Sequence, residues 1–240
     1  MNKAWQLAGW PVVRLAEIAT LCSGGTPSRK RSEFYTGDIP WLTGQDIPEG
    51  TVSDVSRGRD NVTAQAVKNS ATRIVPENTV LVTTRVSVGK TAVAACPLCF
   101  SQDVTGITLR SPEIANPHFV AYFLLSQRQK FLQRNQGSTI VGITHDSLTN
   151  EQIPLPPISE QKRIVEILRD AEQIHRLRSI ADAKITALIP AIFNAKFVDF
   201  LAYGCKPLDK LTDIVSGVAI GRTIRGGGVR EVPYIRVKYE

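Results

Sequence analysis

The chain has 240 residues, 42% of them hydrophobic and 21% charged, the balance of a soluble globular protein long enough for one large domain or two small ones. It contains no run of about 18 apolar residues, which excludes a helical membrane span, and the opening MNKAWQLAGWPVVR has neither the apolar core nor the cleavage site of a secretory signal. The cytoplasm is the expected location. The net charge of +7 is spread along the chain, which suits an anionic partner such as nucleic acid without requiring one.

Residues 1–157 read as a mixed α/β domain. A short helix is expected at Leu15–Leu21, where Leu15, Ile18 and Leu21 recur every three residues, with Ser23-Gly24-Gly25 as its C-cap and turn. Strands are expected at Thr79–Arg85, Lys90–Ala95 and Val104–Leu109, β-branched runs bounded by glycine or proline. A second helix opens at Asn116-Pro117, asparagine capping and proline at the first helical position. Its apolar face is Phe119, Val120, Phe123 and Leu124, with Phe131 beyond. Ile153-Pro-Leu-Pro-Pro-Ile158 reads as a stiff linker.

Residues 158–200 form a second region. Ser159 caps a long helix with Glu160 in its first turn. Ile164, Ile167, Ala171, Ile174, Arg178, Ala181, Ile185, Leu188 and Ile192 follow a 3,4 rhythm that only Arg178 interrupts, the pattern of a coiled-coil seam. Pro190 is expected to bend this rod of roughly 57 Å without ending it. A seam of that length calls for a partner helix.

Residues 201–240 restart the first region. Leu15, Ile18 and Leu21 align without a gap on Leu208, Leu211 and Ile214, and Ser23-Gly24 on Ser216-Gly217. Asp38-Ile-Pro-Trp-Leu42 falls on Glu231-Val-Pro-Tyr-Ile235. One offset carrying a helix, a Ser-Gly stop and a proline-aromatic strand marks an internal repeat. The third region therefore reads as the beginning of a second domain, cut short.

Catalytic patterns are missing. Asn116-Pro117-His118-Phe119 lacks the second proline of an amino-methyltransferase motif, and the helix start explains the same residues. Val88-Gly89-Lys90-Thr91 ends like a phosphate loop but has Thr84 where the first glycine belongs. Cys96-Pro-Leu-Cys99 has metal-like spacing, yet His118, His145 and His175 supply no paired ligands. No metal, bound cofactor or catalytic residue is expected in this chain.

The motifs taken together resemble one family, the DNA specificity subunits of type I restriction-modification systems. The resemblance rests on Trp10-Pro-x-Val-x-Leu15, Gly24-Gly-Thr-Pro-Ser28, Gly37-Asp-Ile-Pro-Trp-Leu-Thr-Gly44, Val80-Leu-Val-Thr-Thr-Arg85 with Gly89-Lys90, Gly137-Ser-Thr139, Ile153-Pro-Leu-Pro-Pro157, Glu160-Gln-Lys-x-Ile164 and Phe193-x-x-Lys-Phe197. It implies an α+β architecture: a target recognition domain at 1–157, a spacer helix at 158–200, and a truncated second recognition domain at 201–240. It further implies a non-catalytic subunit that reads half of a bipartite double-stranded DNA site. Its long helix would dock modification (methyltransferase) subunits, and a restriction (translocase/nuclease) subunit would complete the complex. S-adenosylmethionine and ATP would belong to those partners. With a single helix in the chain, two copies are expected to pair through Ile164 to Ile192. The rival readings are a coiled-coil adaptor that never touches DNA and a stand-alone DNA methyltransferase, the latter opposed by the missing cofactor motifs.

Residue chemistry nominates the DNA contacts, since arginine suits phosphate and guanine while glutamine suits adenine. The candidates are Arg29, Lys30 and Arg31 after the Gly-Gly turn, Gln45 after the Trp-Leu strand, and Arg57 and Arg59 in a polar loop. Arg85 and Lys90 flank a strand turn, and Gln136, Ser138 and Thr139 occupy a loop after the second helix. Trp41, among Ile39 and Leu42, is expected in the core rather than as a stacking platform.

Overall fold

In the computed structural model the described residues are 9–85, 87–134, 142–197 and 210. The chain divides into two compact units, Met1–Ile180 and Ala181–Glu240. The first is built on a five-stranded sheet of order β2-β9-β6-β7-β4, formed by Ala19–Ser23 (β2), Val104–Leu109 (β9), Val80–Thr83 (β6), Thr91–Ala94 (β7) and Val52–Val55 (β4). A three-stranded sheet, Asp60–Val62 (β5), Ile39–Leu42 (β3) and Cys99–Phe100 (β8), adjoins it. The strands at 80–83, 91–94 and 104–109 fall inside the expected stretches.

Both faces of the larger sheet are covered, which is why its strands read as unbroken apolar runs. Along β6, Val80 and Val82 face one cluster and Leu81 the other, as the two-residue period of a strand dictates. On the first face lies the helix Pro117–Ser126 (α3), whose Phe119, Val120, Phe123 and Leu124 are buried. Its start follows expectation: the Asn116 side chain accepts from Phe119 N, 3.1 Å away, and proline opens the helix. Arg128–Arg134 (α4) follows and buries Phe131.

Three local expectations are corrected. The first helix (α1) is only Leu15–Ile18, because Ala19 to Ser23 pair with Leu109 to Thr105 as β2. Five residues of sheet pairing outweigh one more turn of helix for a segment containing threonine and cysteine. Ser23-Gly24-Gly25 is accordingly a strand exit and not a helix cap. The proline-rich stretch is not a free linker either. Gln152–Pro154 (β10) pairs antiparallel with Val12–Arg14 (β1), and Ile153 is fully buried. A two-stranded edge ribbon tolerates proline because its outer N–H groups need no partner. Short helices at Ala64–Lys68 (α2) and His145–Thr149 (α5) complete the unit, each capped by the preceding threonine, Thr63 and Thr144.

The long helix (α6) spans Ile158–Phe197, starting one residue before the expected cap, and Pro190 stands within it. Its first turns dock on the domain through Gln161, Val165, Leu168 and Glu172, spaced three and four apart. Gln161 is completely buried and fully used. Its Oε1 accepts from Asn116 N at 2.8 Å, and its Nε2 donates to Ile114 O (2.9 Å) and Pro156 O (2.8 Å). Further along, Glu172 accepts from the backbone N of Val52 on edge strand β4 and from the Tyr122 hydroxyl. Burial, then this carboxylate, pushes the Tyr122 phenol well above its ordinary value. Within the first unit the seam residues Ile167, Ala171 and Ile174 are exposed, while Ile164 is half-buried against the core. In the second unit Ala181, Ile185, Leu188 and Ile192 are exposed as well. The repeat counterpart at 201–240 lies outside the described residues except Lys210.

Replacing Gln161 by leucine would strand one buried N–H and two carbonyls. Gln161→Leu is expected to lower unfolding free energy by about 3 kcal/mol in urea titration; an unchanged midpoint would remove Gln161 as the helix anchor.

Candidate nucleic-acid interface

The registers of the strands decide which loops meet. β9 runs antiparallel to β2 and β6, so Ser23 lies opposite Thr105 and Thr83 opposite Val104. β7 returns from β6 with Thr91 opposite Val82, and β3 runs parallel to β8 with Leu42 opposite Phe100. The exits of β2, β3, β6 and β8 and the entries of β7 and β9 therefore lie at one end of the fold. Loops far apart in sequence, after Ser23, after Leu42, after Thr83 and after Phe100, are brought together there.

Each loop is held by its own bonds. After β2 the chain passes very close to β8: a Cβ on Gly24 would sit 2.3 Å from the Phe100 and Ser101 carbonyl oxygens. Gly25 N donates to Phe100 O at 2.9 Å, and Trp41 Nε1 donates to Gly25 O at 3.0 Å. Trp41 is buried as expected, its polar edge satisfied by this turn. After β3, Asp46 accepts from both the backbone N and the hydroxyl of Thr43, each at 2.8 Å, closing the turn that carries Gln45. After β6, Gly89 N donates to Thr83 O, and the Thr83 hydroxyl donates to Ser87 O. Ser87 (φ 54) and Gly89 (φ 82) take the left-handed conformation this turn needs. Arg128, opening α4, braces the turn by donating to Val88 O and Glu49.

The nominated side chains divide by what they already touch. Arg29 donates to Asp60 at 2.6 Å and lies over the Tyr35 ring, 4.2 Å from its centroid. The Asp60 carboxylate raises the guanidinium's affinity for its proton further. Arg31 pairs with Glu33 and covers the Phe34 ring. Arg59 donates to Gln45 at 3.0 Å and approaches Asp46 at 3.7 Å. Lys90 turns inward: its ammonium donates to Gly44 O (3.2 Å) and Ile47 O (3.1 Å), tying the Gln45 turn to the start of β7. Lys30 and Arg85 are exposed at this end with no ion pair among the described residues. Arg57 is equally exposed, but it follows the opposite end of β4, where Val55 faces Ala94. Gln136, Ser138 and Thr139 lie outside the described residues. Gly142, just past them, packs against Thr84 O and beside Arg85, and Ile143 N donates to Thr84 O at 2.7 Å.

Gln102 and Thr26, at the same end, were not among the nominated contacts. The Thr26 hydroxyl donates to Gln102 Oε1 at 2.5 Å, and Gln102 is exposed between β8 and β9. Reading Cys96-Pro-Leu-Cys99 for its thiol spacing hid the strand at Cys99–Phe100 that launches this residue. The Cys99 thiol is buried in that strand, which pushes it up to about 11, and Cys96 Sγ donates to Ser56 O. No group of three metal-ligating side chains occurs among the described residues.

A concavity of about 1130 Å³ lies between β4 and α6, lined by Tyr122, Leu125, Leu168 and Glu172 among others. Two of its charged groups dock the helix: Glu172 as above, and Arg169 with Asp54, which also meets His118.

A mixed domain whose loops converge at one end, followed by a long helix with an exposed apolar seam, matches a known class. Residues 8–203 match the type I restriction modification DNA specificity domain, and the chain belongs to that family. It is 28% identical over 191 residues to the MjaIX specificity subunit of Methanocaldococcus jannaschii, covering 80% of this chain and 44% of that one. With the EcoR124I/EcoR124II specificity subunit of Escherichia coli it shares 31% over 161 residues, or 64% and 39% of the two chains. A chain from a structure of the type I R-M system superposes with a TM-score of 0.61 at 25% identity, covering 78% of this chain and 44% of that one. The HsdS subunit from Thermoanaerobacter tengcongensis gives 0.55 at 25% identity, covering 72% and 40%. The chain thus spans less than half the length of these relatives. The family resemblance and the mixed fold with a long helix, both read from the motifs, hold. No helix among the described residues is long and apolar enough to cross a membrane.

Proposed function

We propose that this chain is a non-catalytic specificity subunit that reads one half of a bipartite double-stranded DNA target. In this reading its long helix docks modification subunits, which carry S-adenosylmethionine and methylate adenine, and a restriction subunit adds ATP-driven cleavage. The observation that carries the reading is the convergence of the Arg29, Gln45, Arg85 and Gln102 loops at one end of two rigid sheets. Such a platform offers cations for phosphate and amides for base edges, the two kinds of contact that position and specify. The similarity to the MjaIX and EcoR124I/EcoR124II specificity subunits supports it. The exposed seam on α6 supports helix docking and is the one feature that also suits an adaptor without DNA contact.

Phosphate binding predicts a steep loss of duplex affinity between about 50 and 200 mM salt. Arg85 has no competing acidic partner among the described residues. Arg85→Ala should therefore weaken binding several-fold and reduce the log–log salt slope by about one, with the melting temperature unchanged. Salt-independent or absent duplex binding by the wild type would favour the adaptor.

The seam residues leave apolar area in water that a second copy would cover. The chain should self-associate through Ile167, Ile174, Ile185 and Ile192, and Ile174→Glu with Ile185→Glu should return it to monomer. A strict wild-type monomer at tens of micromolar in light scattering would contradict pairing.

A further inference from the structure

We infer that Gln102 is a base-reading residue of the DNA-contacting end, with Thr26 as the residue that positions it. The inference rests on the DNA-reading function proposed above and names the contact that function would use.

Three observations single out Gln102. Its backbone is fixed from three sides by the loops that form the platform. Ser101 N donates to Leu42 O (2.8 Å) at the root of the Gln45 turn, and Thr84 N donates to Asp103 O (2.8 Å) beside Arg85. On the third side, Gly24 lets the Arg29 loop pass against the Phe100 and Ser101 carbonyls. Next, its side chain is oriented although it is exposed. An exposed glutamine ordinarily samples many rotamers at a cost on binding; here the Thr26 hydroxyl occupies one lone pair of Oε1. That leaves the other lone pair and both Nε2 donors without a partner among the described residues. Lastly, several of the nominated side chains nearby are committed, Arg29 to Asp60, Arg59 and Gln45 to each other and Lys90 to two carbonyls, which leaves Lys30 and Arg85 as cations for phosphate and Gln102 as the amide for a base edge.

An amide presenting one acceptor and one donor side by side matches the N6 donor and N7 acceptor of adenine in the major groove. A good bidentate pair of this kind discriminates against the wrong base by roughly 5- to 150-fold. Thr26 does not touch the base in this account. It holds the amide in the reading orientation, so its loss should weaken discrimination without moving it to another position.

The test is selection of bound sequences from a pool of random duplexes by the full chain at low salt, with melting temperatures recorded for every variant. The wild type should enrich a motif containing an adenine whose identity is lost in Gln102→Ala while the remaining positions stay. Gln102→Glu, which can only accept, should shift that position toward cytosine. Thr26→Val should reduce the preference at that same position, and Thr26→Ser should restore it. If the wild type enriches a motif and the Gln102 variants enrich the same one with equal stringency, the inference is overturned and DNA reading stands. If the wild type enriches nothing, the reading and the inference fall together.

Discussion

The close passage of Gly24 and Gly25 over β8 is the constraint on which the platform depends. At Gly24 any side chain would stand 2.3 Å from two carbonyl oxygens, and at Gly25 2.4 Å from the backbone of Ala71 and Thr72. Only hydrogen fits. With hydrogens there, Gly25 accepts the Trp41 indole N–H and donates to Phe100 O, joining the exit of the large sheet to both neighbouring strands of the small one. The two sheets then end together, and loops separated by tens of residues become neighbours. A fold built on this contact can vary the loops while keeping their common frame, which is what recognition of different sequences on one scaffold demands.

The helix is attached by the opposite strategy. Its first turns are held by specific polar bonds, Gln161 to three backbone groups and Glu172 to an edge-strand N–H and a buried phenol. Buried polar contacts of this sort fix orientation more than they add stability, because each group gives up water to make them. Past Ile164, which packs against the core, the seam isoleucines of the first unit, Ile167 and Ile174, are left exposed by that choice of docking face. Within the first unit, one face of the helix is thus spent on docking, and another stays available.

Much of this was legible in the residues. The strands β6, β7 and β9 and the capped helix α3 announce themselves through β-branched runs and Asn116-Pro117, since local preference and burial there point the same way. Leu15–Leu21 did not, because the three-residue spacing of Leu15, Ile18 and Leu21 points to a helix, and only pairing with β9, distant in sequence, turns Ala19–Ser23 into a strand. The proline stretch misled for a related reason: proline forbids inner strands but not the outer edge of a two-stranded ribbon. At the site, arginine and glutamine were correctly suspected of lying in loops, yet composition cannot tell which cations are spent. Lys90 looked free because its acceptors, Gly44 O and Ile47 O, are backbone groups distant in sequence. Gln102 was invisible while its neighbours were read as a thiol pair.

Under the proposed function, the decisive question is where DNA touches the chain. Hydrogen–deuterium exchange of the whole protein, with and without a pool of random duplexes, would show it. Protection is predicted at the segments 24–31, 43–46, 84–90 and 101–103, which the strand registers bring to one end. Protection confined to the opposite end, at 76–79 and 95–98, or to the long helix alone, would contradict it.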